Sequence, residues 1–421
     1  MPGSCARPAG QDTFSFMTLV TDLDLPLLDY SAAGLAGDAY HERLAELAGQ
    51  ARDGWLARSP LSLVVLDRES AEFFLRTRAA AFPGPQIADL FGVEAGQLRE
   101  QIDANILNQQ GDRHRRLRSL VGPAFTARAA DRWRPVMREF LGQLWAPLAA
   151  AGHCDAVAEL AKPYPSLTIA AVLGAPLQDA ARLHDWSTWV QRQFDITALA
   201  SQLSEMESKV AGAYGYVQEL LARRASEPAD DLITALLSAS EAGDRLSGEE
   251  CINLVLNVIA GGIDTTQAQL SHALRLFAAH PGQWELLAAK PDLVPAAVQE
   301  VLRHEPITPF TARICLQEIE HRGITFPAGS IVAICSERGN REQPGGEDFD
   351  ITAPRDGRLL TFGAGPHFCL GANLARAELE EALTFLPQRM PGLAAGGRAQ
   401  LGSVEGIYGI DSLPLRWRTG S

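Results

Sequence analysis

The chain has 421 residues, 46% hydrophobic and 21% charged, which is enough apolar material for a full core and excludes a disordered or fibrous protein. Its 37 Lys and Arg against 51 Asp and Glu give a formal charge of -14, which repels polyanions and excludes a general nucleic-acid binder. The start lacks a basic segment followed by an apolar stretch, and the longest apolar run, Cys251 to Ile263, falls short of the roughly 20 residues that cross a bilayer, so neither a secretory signal nor a membrane anchor is expected.

In chain order, apolar residues spaced by three and four predict helices over 69–81, 129–150, 176–194, 203–224 and 230–242. The longest candidate opens with Ser247 and Glu250 spaced as a capping box and stops before Pro281 and Gly282. At 1.5 Å per residue it would extend about 50 Å. Leu254, Val255, Val258, Ile259, Ile263, Leu270, Leu274 and Phe277 make several of its faces apolar, so it reads as a helix through the core. Its middle, Ala260-Gly261-Gly262-Ile263-Asp264-Thr265-Thr266, breaks local rules, because each Gly costs about 1 kcal/mol against Ala in a helix interior and an acid is placed among apolar residues. Such a break marks either a packing notch or a functional site. A further helix is predicted over 295–304, and β-branched alternation predicts strands over 312–320 and 329–336. The fold class read from this pattern is mainly α with a small β region, in one domain spanning 1–421.

Six cysteines, at 5, 154, 251, 315, 335 and 369, form no CxxC pair and no small-domain disulfide spacing. That usage suits a reduced, cytoplasmic setting and disfavours a zinc cluster. Cys369 stands apart by its surroundings. It lies in Phe362-Gly363-Ala364-Gly365-Pro366-His367-Phe368-Cys369-Leu370-Gly371, a glycine-rich loop running into a helix predicted over 372–385. Backbone N–H groups and the helix dipole would face its sulfur, favouring thiolate and permitting metal ligation or nucleophilic attack. Two chemistries are open at this point: a large flat cofactor held by the thiolate, or a thiol hydrolase with Cys369 as nucleophile and His367 as base.

The loop resembles the haem-binding signature F-G-x-G-x-H-x-C-x-G of the cytochrome P450 family, matched at Phe362, Gly363, Gly365, His367, Cys369 and Gly371. The interrupted helix resembles that family's oxygen-binding helix, and Glu300-Val301-Leu302-Arg303 resembles its E-x-x-R. The resemblance covers roughly Gly111 to the end. It implies a cytochrome P450-like fold with a long central helix over a haem, and a haem-thiolate monooxygenase with haem b as cofactor and Cys369 as axial iron ligand. Asp264 and Thr265 would form the acid–alcohol pair that relays protons, Gly261 and Gly262 would open a groove for oxygen, and Thr266 would be packing. His114, Arg118, Arg313 and His367 would meet the two propionates as cationic donors, with Arg313 opening a strand.

Glu300 and Arg303 would be structural, joined in the family by an arginine preceding the haem loop. Here the usual position is Ala353, with Arg355 two residues later. A low-specificity pocket assignment takes Leu256, Ile259, Ala260 and Ile263 from the central helix, Pro309, Phe310, Ile407, Tyr408 and Ile410 by family position, and parts of 85–107 and 175–215. The implied partners are O2, a small apolar substrate, and a ferredoxin or flavodoxin-type electron donor with its reductase, since no glycine-rich phosphate fingerprint for flavin or nicotinamide is found. Arg113, Arg115 and Arg116, on the helix face away from His114 and Arg118, would help dock an acidic donor. A haem sensor or carrier that no longer turns over is the non-enzymatic alternative, against which Asp264 and Thr265 count.

Overall fold

The computed structural model describes residues 18–32, 34–50, 54–241, 244–355 and 359–419. The helices that frame the site are α1 (Gly111–Val121), α2 (Pro163–Leu173), α3 (Ala180–Gln191), α4 (Leu203–Ser226), α5 (Gly248–Gly262), α6 (Asp264–Ala279), α7 (Val294–His304) and α8 (Ala372–Phe385). A five-stranded sheet stands beside them, built from β1 (Leu56–Arg58), β2 (Leu63–Val65), β3 (Ala80–Ala81), β4 (Phe310–Cys315) and β5 (Ile331–Cys335) in the order β1-β2-β5-β4-β3. β5 runs parallel to β2 and antiparallel to β4, with Val332 opposite Arg313.

The main core surrounds α5 and α6. Val255, Ile259, Ile263, Leu270, Leu274 and Phe277 are fully buried together with Ile169 and Leu173 of α2 and Ala377 and Leu383 of α8. The capping box forms as the spacing predicts: the Ser247 hydroxyl accepts from Glu250 N while the Glu250 carboxylate accepts from Ser247 N. The long helix is not continuous, however. It breaks at Ile263, whose φ of -96° and ψ of -70° depart from helical values, and Thr265 Oγ1 donates to Gly261 O at 2.5 Å. The two glycines and the side-chain competitor for a helix carbonyl supply the physical cause.

Other boundaries move for identifiable reasons. The predicted helix 69–81 ends at Arg76, and Ala80 and Ala81 pair instead with β4. The 129–150 pattern splits into Ala127–Asp131 and Arg134–Trp145, because Pro135 is tolerated only in a first turn. The 176–194 pattern is α3 between two 3-10 turns, and 230–242 keeps only Leu232–Ser238, whose N-cap is Asp231. The strand predicted over 312–320 is two strands, β4 and Ile319–His321. Cys5 lies outside the described residues, and Cys154, Cys251, Cys315, Cys335 and Cys369 are all free thiols. Among the described residues no helix is long and apolar enough to cross a membrane.

Candidate active site

One cavity of about 1080 Å³ brings together Cys369, His367, Phe362, Gly363 and Gly371 from the glycine-rich loop, His114 and Arg118 from α1, Arg313 from β4, and Gly261, Asp264 and Thr265 from the break between α5 and α6. The loop turns back on itself through a Cys369 N–H···O bond to Phe362 at 2.9 Å. Gly363 and Gly365 both sit at φ 69°, and a Cβ on Gly365 would lie 3.0 Å from Arg76 Cα, so the backbone path there demands glycine. Gly371 is the N-cap of α8. The Thr361 hydroxyl donates to Leu302 O at 2.6 Å and ties the loop to α7, which packs on α8.

The Cys369 sulfur opens onto the cavity while lying deep in the molecule. Burial pushes its thiol up from the ordinary value, and the Gly371 N–H, the Arg118 and Arg376 guanidiniums and the Ala372 N–H oppose that push. The Gly371 and Ala372 amides favour the anion, as the loop's place at the start of α8 implies, but they and the two cations do not offset desolvation, and a metal that requires a deprotonated ligand would supply the rest. His367 is held down near 3 chiefly by burial, with His114 and the Arg313 and Arg118 guanidiniums adding to the push. A base that weak is poorly suited to take a proton from a raised thiol, which counts against the hydrolase reading.

At one end of the cavity the His114 and His367 rings lie 4.1 Å apart, tilted by 34°, with Gln110 Nε2 at 3.4 Å from His367 Nε2. Arg118 donates to Phe368 O at 2.9 Å. Arg313 sits in the middle of β4 rather than opening it, and it is 5% exposed. Its side-chain bond goes to the neighbouring Ala312 O at 2.8 Å, and among the described residues it has no carboxylate partner. Burial lowers its guanidinium to about 10 and also lowers His114. The two imidazoles are thus neutral and the fixed positive charge comes from Arg118 and Arg313. A buried guanidinium without a counter-ion is costly, so this end of the cavity calls for a ligand carrying carboxylates.

Across the cavity the Asp264 carboxylate accepts from Ser187 Oγ at 3.0 Å and Thr188 Oγ1 at 3.3 Å, with His184 Nε2 at 3.4 Å. Burial pushes this carboxyl up, against the pull of His184, Ser187 and Thr188. His184, Ser187 and Thr188 were not found by sequence reasoning. Their i, i+3, i+4 spacing on α3 was a readable polar face, but nothing in the sequence names the partner it meets. Both glycines line the cavity; Gly261 has open space where a Cβ would stand, whereas a Cβ on Gly262 would lie 2.6 Å from Ile169 Cδ1, so Gly262 is also a packing notch.

A thiol-bearing loop capping a helix, a buried unpaired cation at the cavity's edge and a kinked helix opposite fit an iron porphyrin with its two propionates. The family model described as Cytochrome P450 matches residues 61–287 and 288–389. The chain belongs to the cytochrome P450 family. It is 32% identical over 398 residues to luteothin monooxygenase of Streptomyces thioluteus, covering 94% of this chain and 96% of that one. It is 36% identical over 327 residues to the mycinamicin IV hydroxylase/epoxidase of Micromonospora griseorubida, covering 76% and 81%. The crystal structure of CalO2 superposes with a TM-score of 0.86 at 30% identity, covering 94% of this chain and all of that one. As a cytochrome P450 it binds haem b and is a haem-thiolate monooxygenase that uses O2 and an external electron donor.

Several expected positions are corrected by the P450 structure. Leu256, Ile259, Ala260, Ile263, Pro309 and Tyr408 do not line the cavity; all are buried, and the central helix instead turns Leu254, Asn257, Val258 and Gly261 to the cavity. At 100° per residue these four share one face, and the chosen apolar residues lie on the faces packed against neighbouring helices. Phe310, Ile407 and Ile410 do line it, as do Ile87, Leu107, Thr188 and Trp189 from the broader stretches.

The proposed docking arginines are partly consumed within the chain. Arg116 pairs with Asp244 and with Glu250 at 2.7 Å, and Arg115 pairs with Asp112. Glu300 and Arg303 form a buried pair at 2.7 Å, and Arg355 completes it, reaching Glu300 at 3.0 Å. Thr266, expected to be packing, is buried, and its hydroxyl lies 3.4 Å from Glu378 Oε2.

Proposed function

We propose that Cys369 is the axial iron ligand, that His114, Arg118, Arg313 and His367 take the haem propionates, and that Asp264 and Thr265 move protons at the distal face. The observation that carries this reading is the single cavity that Cys369 and the Asp264–Thr265 break line together. When bound, the haem supplies dioxygen binding and activation, with the thiolate donating electron density. Phe362 and the glycine backbone flank the sulfur, and Arg376, stacked at 4.7 Å over the Phe362 ring, steadies its negative charge.

Ser187 and Thr188 hold the Asp264 carboxyl in place, and its upward-pushed affinity for a proton suits it to load and release one. Thr265 commits its hydrogen to Gly261 O, which leaves its oxygen as an acceptor toward the cavity. Thr265→Ala is expected to keep the haem and its thiolate spectrum while diverting reducing equivalents to peroxide. Full coupling of electron uptake to product in that variant would refute the assignment.

The substrate is an apolar or amphipathic small molecule, supported by Phe310, Ile407, Ile410, Leu254 and Val258 on the walls of a cavity that accommodates it beside the haem. The relatives named for luteothin and for mycinamicin IV support a compound of that character. The donor is a ferredoxin or flavodoxin-type protein with its reductase, and the five free described thiols support a cytoplasmic setting. A screen for compounds that shift the haem spin state identifies the substrate, and reconstitution with each donor class separates the partners.

A further inference from the structure

Arg376 lies on α8, seven residues after Cys369, and is half-buried. Its guanidinium carbon stands 4.7 Å from the centroid of the Phe362 ring, and among the described residues it has no hydrogen-bond or ion-pair partner. Phe362 is also the residue whose carbonyl accepts the Cys369 N–H at 2.9 Å, so the ring under the cation and the sulfur belong to one closed turn. The start of α8 is fixed: Ala375 N donates to Gly371 O at 3.0 Å and Asn373 Nδ2 to Phe125 O at 2.9 Å. Glu380 and Glu381, one turn beyond Arg376, are committed to Arg134, at 2.5 and 3.2 Å. Burial lowers the Arg376 guanidinium, and of the anions that offset this the Cys369 sulfur comes before Glu380. A part-buried cation without a carboxylate is costly, and the thiolate is the anion in position to complete it.

We propose that Arg376 sets the reduction potential of the bound haem through the Cys369 sulfur, its fixed positive charge favouring the reduced state so that the first electron is easier to deliver. In that step the external donor loses one electron and the ferric iron gains it; no bond to Cys369 breaks and no proton is taken up. The group held by the sulfur therefore gains one net negative charge, which a cation beside the sulfur stabilises. A guanidinium stays protonated at any working pH, so this bias is constant. Arg118 also acts on the sulfur, but it lines the cavity where the propionates are met, whereas Arg376 does not line the cavity. Removing Arg376 thus changes the charge behind the sulfur and leaves the carboxylate donors in place. Arg376 touches neither substrate nor oxygen; it acts through the sulfur and is in that sense a positioning residue.

This role rests on Cys369 being the iron ligand, and spectroelectrochemical titration of the haem-loaded protein tests it. At the effective dielectric of a protein surface a nearby unit charge biases a one-electron equilibrium roughly tenfold, which is about 59 mV. Arg376→Met should lower the midpoint potential by that amount, Arg376→Glu should bias the same equilibrium roughly a hundredfold, and Arg376→Lys should fall between wild type and Arg376→Met. The C–O stretch of the reduced carbon monoxide complex should move to lower frequency in the same order, because an iron richer in electron density passes more of it to the bound gas.

Midpoint potentials that coincide across the series, or that do not follow the order of charge, would overturn the proposal. So would slower reduction by the electron donor at an unchanged potential, which would make Arg376 a docking residue instead. If Arg376→Glu does not load haem, Arg376→Met against Arg376→Lys decides it by the same two readouts. A wild type without the thiolate-type carbon monoxide band would remove Cys369 as ligand and this role with it, whereas a flat series in variants that keep the band would remove this role alone.

Discussion

Replacing Arg355 or Arg303 tests how the haem-side core is held. Glu300 receives Arg303 at 2.7 and 2.8 Å, Arg355 at 3.0 and 3.1 Å, and Asp350 N at 3.0 Å. Burial would raise its carboxyl, and these donors hold it below the ordinary value instead. Arg303 also donates to Gly346 O at 2.5 Å and Asp348 O at 2.8 Å, so its removal takes from buried Glu300 its two shortest bonds and from Gly346 O its guanidinium donor, while Arg355 still reaches Glu300 and Asp348 O. Breaking a buried pair in this way costs about 3–5 kcal/mol. Arg355→Ala leaves Glu300 with Arg303 and Asp350 N, so only the charge-assisted bonds are lost, about 1.5–3 kcal/mol.

For a chain of this length the larger figure lowers Tm by roughly 3–6 °C. Thermal and urea unfolding of the haem-loaded single variants and of the double variant would measure both losses and their coupling. A cost for Arg303→Ala below about 1 kcal/mol would refute the buried pair, and an Arg355→Ala variant as stable as the wild type would refute the assignment of Arg355 as its third member.

Gly262→Ala should destabilise by about 1–3 kcal/mol, since its Cβ meets Ile169 Cδ1, and Ile169→Ala in the same chain should recover part of the loss; a neutral Gly262→Ala in equilibrium unfolding contradicts the notch. His41 bridges Glu337 at 2.7 Å and Glu305 at 3.4 Å, and although burial lowers it, these carboxylates raise it to about 9. Because the folded value exceeds the unfolded one, its contribution is complete below about pH 6.5 and is lost as pH rises through about 9, so stability measured against pH should decline over that window in wild type and not in His41→Asn. Charge reversal at Arg113 and Arg115 should steepen or flatten the salt dependence of reduction by the donor, and an unchanged dependence removes them from the docking surface.

Much of the site was legible because it rests on local chemistry. The Ser247–Glu250 box, the Cys369 loop and the onset of α8 at Ala372 are each set within a few residues of sequence. The Gly-Gly-x-Asp-Thr interruption pointed to the helix break, although propensity alone did not show that a Thr265 side chain would take over a helix carbonyl. What sequence could not show depends on partners distant in the chain. Apolar character alone reads Leu256 and Ile259 as pocket walls, yet apolar residues on a central helix mostly face its packed neighbours, as these two do. Arg116 resembled a free surface charge until Asp244 and Glu250 were placed beside it. The buried acid Glu378 lay within a helical pattern whose polar positions look like a solvated face, and only packing against α2 and α6 sets it apart.

The carbon monoxide difference spectrum of the reduced, haem-loaded protein and of Cys369→Ala addresses the sulfur–iron bond directly. The wild type should give the red-shifted band of thiolate ligation and the variant should not. A wild type that takes up haem without that band, or a variant that retains it, would contradict the assignment of Cys369 as the iron ligand.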